Sequence, residues 1–211
     1  GIPDAAIRVT GNPVIDALQW VAALPYDATS GPLRDVPWGK HLILVTAHRR
    51  ENLGKPLADI CLALRDIVET NDDVHVIFPV HLNPRVQETV YGLLRGTSSV
   101  TLTPPLDYQP LVYLMKHVTL VLTDSGGIQE EAPGLGKPVL VLREVTERPE
   151  AAEAGTVRVV GTCREAIVAW AQRLLTDPVE YARMPQATNP YGDGQAANRI
   201  VHALVSCGAC R

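Results

Sequence analysis

Leu120-Val121-Leu122-Thr123-Asp124-Ser125-Gly126-Gly127-Ile128-Gln129-Glu130-Glu131 carries an apolar run of strand length straight into Ser-Gly-Gly and then into a run that reads as helix. That is the local chemistry of a phosphate cradle. Two glycines let the backbone come close to a ligand, and the exposed amides and positive end of the following helix favour an anion. Ser125, Gly126 and Gly127 are therefore candidate contacts to a nucleotide diphosphate. Glu130 and Glu131 come about one helical turn later, so one of them can turn back toward the ribose of a nucleotide whose phosphates rest on the glycines. For the other, the expectation is a charged first helical turn that complements the macrodipole.

Outward from this stretch, apolar runs of strand length alternate with amphipathic runs of helix length. The strand candidates are 41–47, 74–80, 100–103, 119–123, 138–143 and 156–160, rich in Val, Ile and Leu without polar alternation, as in strands covered on both faces. Between or after them, 57–69, 84–95, 108–116, 128–135, 149–154 and 164–175 place apolar residues three and four apart. Repeated strand and helix predict an α/β fold with a doubly wound, Rossmann-like parallel sheet, whose ligands bind at the carboxyl ends of the strands. The stretch 124–131 sits at such an end.

The two ends of the chain read differently. A short helix near 17–23 precedes a Pro/Gly-rich stretch, 25–37, and a domain boundary is expected near Trp38. Asn189-Pro190-Tyr191-Gly192-Asp193-Gly194 interrupts the helices before a last amphipathic one at 195–205. The expected organisation is an interdomain segment and linker over 1–37, a nucleotide-binding domain over 38–188, and a terminal loop and helix over 189–211.

Composition narrows the function. The 211 residues are 46% hydrophobic and 20% charged, with a formal net charge of −4, enough to build a substantial core and without the basic surplus that nucleic-acid binding leans on. No apolar run approaches the ~18 residues of a membrane span, and no leader pattern opens the chain, so a cytoplasmic protein without membrane attachment is expected. Four cysteines occur, and Cys207 with Cys210 forms an isolated Cys-x-x-Cys for which a frayed terminus is the favoured reading over a zinc or redox site.

Other strand ends also carry polar clusters. Thr46-Ala47-His48-Arg49-Arg50-Glu51-Asn52 follows the first strand; His48 suits a general acid/base or a phosphate donor, against a plain structural hydrogen bond. Pro79-Val80-His81-Leu82-Asn83-Pro84 follows the second, with Asn83 as N-cap, Pro84 at the first helical position, and His81 either bracing the loop or facing a ligand. In Arg143-Glu144-Val145-Thr146-Glu147-Arg148-Pro149-Glu150, Arg148 can bind phosphate bidentately or pair with Glu147 or Glu150.

These clusters, with Gly11-Asn12-Pro13-Val14-Ile15-Asp16 and the 189–194 loop, stand in the same order as the motifs of the non-hydrolysing UDP-N-acetylglucosamine 2-epimerases, which the chain closely resembles over almost its whole length. The resemblance implies a GT-B-type two-domain fold, of which this chain is the C-terminal half, and interconversion of UDP-GlcNAc and UDP-ManNAc by elimination of UDP to 2-acetamidoglucal and re-addition. By position it implies His48 as the catalytic histidine, Ser125, Gly126 and Gly127 at the diphosphate, Glu131 at the ribose and Arg148 near the phosphates. Arg49 and His81 fall near the place where a second UDP-GlcNAc activates bacterial members. No metal or other cofactor is implied, and the expected partners are UDP or the UDP-sugars, an N-terminal domain, and a second subunit in a homodimer.

Two departures stand out. Leu111 occupies the position where the family carries a Phe against the uracil, so a stacking contribution of roughly 0.5–1.5 kcal/mol is lost. Pro13 replaces a Thr. The acidic residues that handle the C2 proton in the family belong to the first domain, and neither Asp4 nor Asp16 matches their motifs, so this chain alone is expected to bind UDP weakly and not to epimerise unless a companion chain supplies a first domain. A UDP-sugar-dependent GT-B glycosyltransferase domain and a non-catalytic nucleotide-binding or assembly module are the alternatives.

Overall fold

The computed structural model describes residues 1–207, so Cys210 and the Cys-x-x-Cys reading lie outside the described residues. Six parallel strands form one sheet: β1 (His41–Thr46), β2 (Val74–Pro79), β3 (Val100–Thr103), β4 (Leu120–Thr123), β5 (Val139–Val141) and β6 (Val157–Val159). Their spatial order is β3-β2-β1-β4-β5-β6. Because side chains alternate across a strand, β1 sends Ile43 and Val45 into one core layer and Leu42 and Leu44 into the other. Both layers are apolar, and this is why the strands show no polar alternation in sequence.

Helices α2 (Lys55–Glu69), α3 (Pro84–Leu94) and α7 (Arg164–Thr176) supply the first layer through Leu57, Leu64, Val86, Val90 and Ile167. The second layer is closed by α1 (Pro13–Ala22), α4 (Tyr108–His117), α5 (Gly126–Gly134) and α6 (Pro149–Ala154) through Ile15, Leu18, Val112, Ile128 and Ala151. Two further helices, α8 (Pro178–Gln186) and α9 (Ala196–Ser206), follow. Among the described residues no helix is long and apolar enough to cross a membrane.

The six predicted strands are all present, with ends shifted by no more than two residues. The helix starts differ more. Asn12 caps α1 and Pro13 takes its first turn, so the helix begins four residues before the predicted 17. Asp177 and Pro178 open α8, which was not predicted. Both repeat the Asn83-Pro84 device at α3: a side-chain oxygen accepts an orphan amide, and a ring with its φ already set enters the helix. Periodicity missed α8 because it contributes no buried residue to either layer.

Residues 1–37 do not run clear of this body, since Ile15, Leu18 and Leu33 are all but inaccessible within the second layer. The two ends of the chain are also sewn together. The Asn12 backbone amide donates to the Tyr191 carbonyl at 2.7 Å, and Gly11 and Gly192 sit beside each other, both at positive φ. Here glycine is required by conformation rather than by space, since a Cβ on Gly192 would lie at ordinary contact distance, 3.7 Å, from the Gly11 Cα.

Candidate active site

The strand order reverses direction between β1 and β4, and at such a switch point the two following loops diverge and leave a crevice at the carboxyl ends of the strands. The strand ends are joined by Thr46 and Thr123, whose hydroxyl oxygens lie 2.6 Å apart. Everything that leaves β1 and β4 therefore meets at one place: His48, Arg49 and Asn52 from one side, Asp124, Ser125 and α5 from the other.

Asp124 holds this junction together. The carboxylate is fully buried, and its Oδ2 accepts the backbone N–H groups of His48 and Arg49, each at 2.8 Å, and the Asn52 amide at 3.0 Å. Asn52 also donates to the Leu142 carbonyl at 3.0 Å, tying the loop after β1 to the end of β5. His48 stands half-buried above Asp124, its Nδ1 3.6 Å from Oδ1, and its ring stacks on His81 with centroids 5.0 Å apart and planes 6° from parallel. Burial holds the His48 pKa below its ordinary value; Asp124 opposes that shift, and His81 and Arg49 add to it. His48 is thus biased toward its neutral form, the form that can accept a proton. The His81 Nδ1 accepts the Asn83 amide at 3.0 Å, so that ring does brace its loop while also facing His48.

The cradle is the first turn of α5. The Ser125 amide is bound to the Thr123 hydroxyl at 2.9 Å, and Ser125 makes no side-chain cap bond to the helix. The amides of Gly126, Gly127 and Ile128 have no carbonyl one turn back to receive them and point past the helix end, as at any helix start. Neither Gly126 nor Gly127 is at positive φ. Their value lies in space: a Cβ on Gly126 would touch the Arg49 guanidinium at 3.5 Å, whereas one on Gly127 would meet only the Ser125 hydroxyl, at 4.0 Å. Arg49 reaches across this turn to Glu147 at 3.5 Å, and Arg143 donates to the same carboxylate at 3.3 Å. Gln129 anchors the turn from beneath, donating to the Ser125 carbonyl at 3.2 Å and accepting from the Thr146 hydroxyl at 2.6 Å.

Glu130 and Glu131 are both buried and do different things. Helix α5 begins at Gly126, two residues before the predicted start, so neither glutamate lies in the first turn and the macrodipole reading is set aside. Glu130 accepts from Asn12 at 2.6 Å and from the Arg148 Nε. The ion-pair partner of Arg148 is therefore Glu130, not Glu147 or Glu150; the rest of its guanidinium remains partly exposed beside the crevice. Glu131 accepts the Tyr108 hydroxyl at 2.9 Å, and burial raises its carboxyl pKa above the ordinary range. Leu111, one turn along α4 from Tyr108, packs partly buried against the second core layer.

The structure thus assembles the predicted His48, Arg49, His81, Ser125, Gly126 and Gly127 around one crevice, with Glu131 and Arg148 along α5 and its neighbouring loop. Across the matching region, the family profile described as UDP-N-acetylglucosamine 2-epimerase covers residues 1–205. The chain belongs to the UDP-N-acetylglucosamine 2-epimerase family. It is 54% identical over 211 residues to the UDP-N-acetylglucosamine 2-epimerase of Salmonella typhimurium, covering 97% of this chain and 56% of that protein. The Escherichia coli K12 enzyme is 52% identical over 209 residues, with 96% and 56% covered. The crystal structure of the Neisseria meningitidis UDP-GlcNAc 2-epimerase bound to UDP-GlcNAc matches at a TM-score of 0.86 and 41% identity, covering 97% of this chain and 57% of that one.

Among epimerase-family features, then, this chain holds the Rossmann-like α/β unit of a GT-B-type fold, and it spans little more than half the length of the relatives it matches. Three residues of the crevice escaped the sequence reading as individuals: Asp124, Asn52 and Tyr108. Two of them lie inside stretches singled out for other reasons. Only the pairing of strand ends shows which backbone amides Asp124 collects. Tyr108 had no local signal at all, since its partner is 23 residues away.

Proposed function

We propose that this chain is the UDP-binding half of an enzyme that interconverts UDP-GlcNAc and UDP-ManNAc by eliminating UDP to 2-acetamidoglucal and adding it back. The observation that carries the reading is the adjacency of β1 and β4, which sets His48 and Arg49 beside the open amides of α5. A departing diphosphate gathers charge as its bond to the sugar breaks, and preorganised amides with a guanidinium beside them stabilise that charge in place. In this reading Ser125, Gly126 and Gly127 take the diphosphate, and Glu131 takes the ribose with its carboxylate steadied by Tyr108. Arg148 lies near the phosphates, steadied in turn by Glu130, and Leu111 lies against the uracil. His48 handles a proton at the reacting sugar. Arg49 and His81 border the place for a second nucleotide-sugar.

The start of the chain connects to the complementary N-terminal half in this scheme, the loop and helix after residue 189 pack toward that half, and the complete enzyme is a homodimer. The carboxylates that act on the C2 proton are assigned to that other half. Calorimetric titration tests the binding part: UDP and UDP-GlcNAc bind the chain, GDP binds less well, and no heat with UDP would remove the reading. Turnover tests the rest. The chain alone is inactive, and an N-terminal half supplied in trans restores epimerisation.

A further inference from the structure

Asp124 has one carboxylate oxygen saturated and the other bare. Oδ2 takes three donors, from the His48 and Arg49 amides and the Asn52 side chain. Oδ1 is equally buried and has no hydrogen-bond partner, while the His48 Nδ1 lies 3.6 Å away. A carboxylate oxygen taken out of water and left empty is costly, and such atoms call for an explanation. The same Asp124 that fixes the His48 backbone thus has an unused acceptor aimed at the His48 ring.

We propose that Asp124 is the positioning residue of His48: Oδ1 accepts the Nδ1–H, so that Nε2 is the nitrogen that takes and returns the proton. When Nε2 is protonated, the imidazolium keeps Nδ1–H on Asp124 and the carboxylate stays ionised, its charge stabilising the cation formed beside it. The separation is just beyond hydrogen-bond length, as catalytic contacts commonly are without ligand, and a small ring rotation closes it. His81 stacks on the face of the His48 ring and limits how far that ring can tilt. The charged or titratable groups that face His48 are Asp124 from the end of β4, His81 from the loop after β2, and Arg49 from its own loop. Only the first favours the imidazolium.

The catalytic part of this proposal rests on the epimerase reading above; the tautomer part does not. Long-range proton–nitrogen NMR of the 211-residue chain, with His48 assigned through His48→Gln, reads the tautomer directly. The expected result is Nδ1–H in the neutral ring. In Asp124→Asn the His48 titration midpoint falls, because an attractive charge is gone, and the tautomer shifts toward Nε2–H. A wild-type ring in the Nε2–H form overturns the proposal, as does an unmoved midpoint in folded Asp124→Asn. Should that variant fail to fold, the wild-type tautomer still decides. With an N-terminal half supplied, Asp124→Asn lowers kcat about 100-fold with KM little changed; a change confined to KM counts against the proposal. Absence of turnover in the wild type would remove the epimerase reading and leave the tautomer result to stand or fall by itself.

Discussion

Glu130 brings two donors to a nearly buried carboxylate, and its environment sets what its loss would do. Its partners are Asn12, 118 positions away, and Arg148, 18 positions away, and the partly exposed guanidinium can recover some hydration if Glu130 goes. Glu130→Ala should therefore cost about 1.5–3 kcal/mol, the range for hydrogen bonds to a charged group, rather than the larger figure for a fully buried pair. Urea unfolding measures it. The histidines make a second prediction. Burial lowers the pKa of His75, whose Nε2 lies 2.8 Å from the Thr101 hydroxyl between β2 and β3, and lowers that of His48 as well. The unfolded chain takes up these protons near 6.5, the folded chain only at lower pH. Their contribution to stability is thus full above about pH 6.5 and lost as pH falls toward the folded values. Glu131, with a raised carboxyl pKa, works in the opposite direction on the acid side. Urea midpoints at about pH 7.5 and 5.5 should show a smaller drop in His75→Gln than in the wild type, which isolates the histidine contribution from that of the glutamate.

Helix α5 is built against helix propensity. It opens on two glycines that no backbone angle requires, and its second turn buries Gln129, Glu130 and Glu131. Alanine at Gly127 would meet nothing closer than 4.0 Å and would reduce the freedom of the unfolded chain. Gly127→Ala is therefore expected to stabilise the fold by about 0.5 kcal/mol while weakening UDP binding at least about tenfold. Opposite signs in thermal unfolding and calorimetry would show that the space over the helix end belongs to the ligand. A loss of stability would place the glycine in the fold instead. The same element shows what was legible beforehand. Strand, glycines and helix follow one another in sequence, so the cradle could be read locally. The division of labour between Glu130 and Glu131 could not, because it depends on where the helix starts and on Asn12, Tyr108 and Arg148, none of which is a sequence neighbour.

Across the whole molecule, α9 depends on a residue 180 positions away. Its N-cap residue, Gln195, makes no side-chain cap bond. The Asp16 carboxylate accepts the Ala196 and Ala197 amides instead, at 3.1 and 2.9 Å, and so caps the helix from α1. Asp16→Ala should cost about 1 kcal/mol, and hydrogen exchange should quicken in α9 while the sheet amides keep their protection. Equal loosening of β1 and β4 would show that α9 is part of the cooperative core.

By itself the sequence determined the α/β class, the six strands and the strand–glycine–helix junction at 120–131. All of these are local: side-chain periodicity, capping chemistry and glycine's missing Cβ act within a few residues. Tertiary structure decided that β1 lies beside β4, that Asp124 gathers the His48–Asn52 loop, that Glu130 rather than its neighbours holds Arg148, and that Asp16 caps a helix at the far end of the chain. Those contacts depend on strand order and on burial, where an unpaired charge must find a partner wherever the fold has placed one.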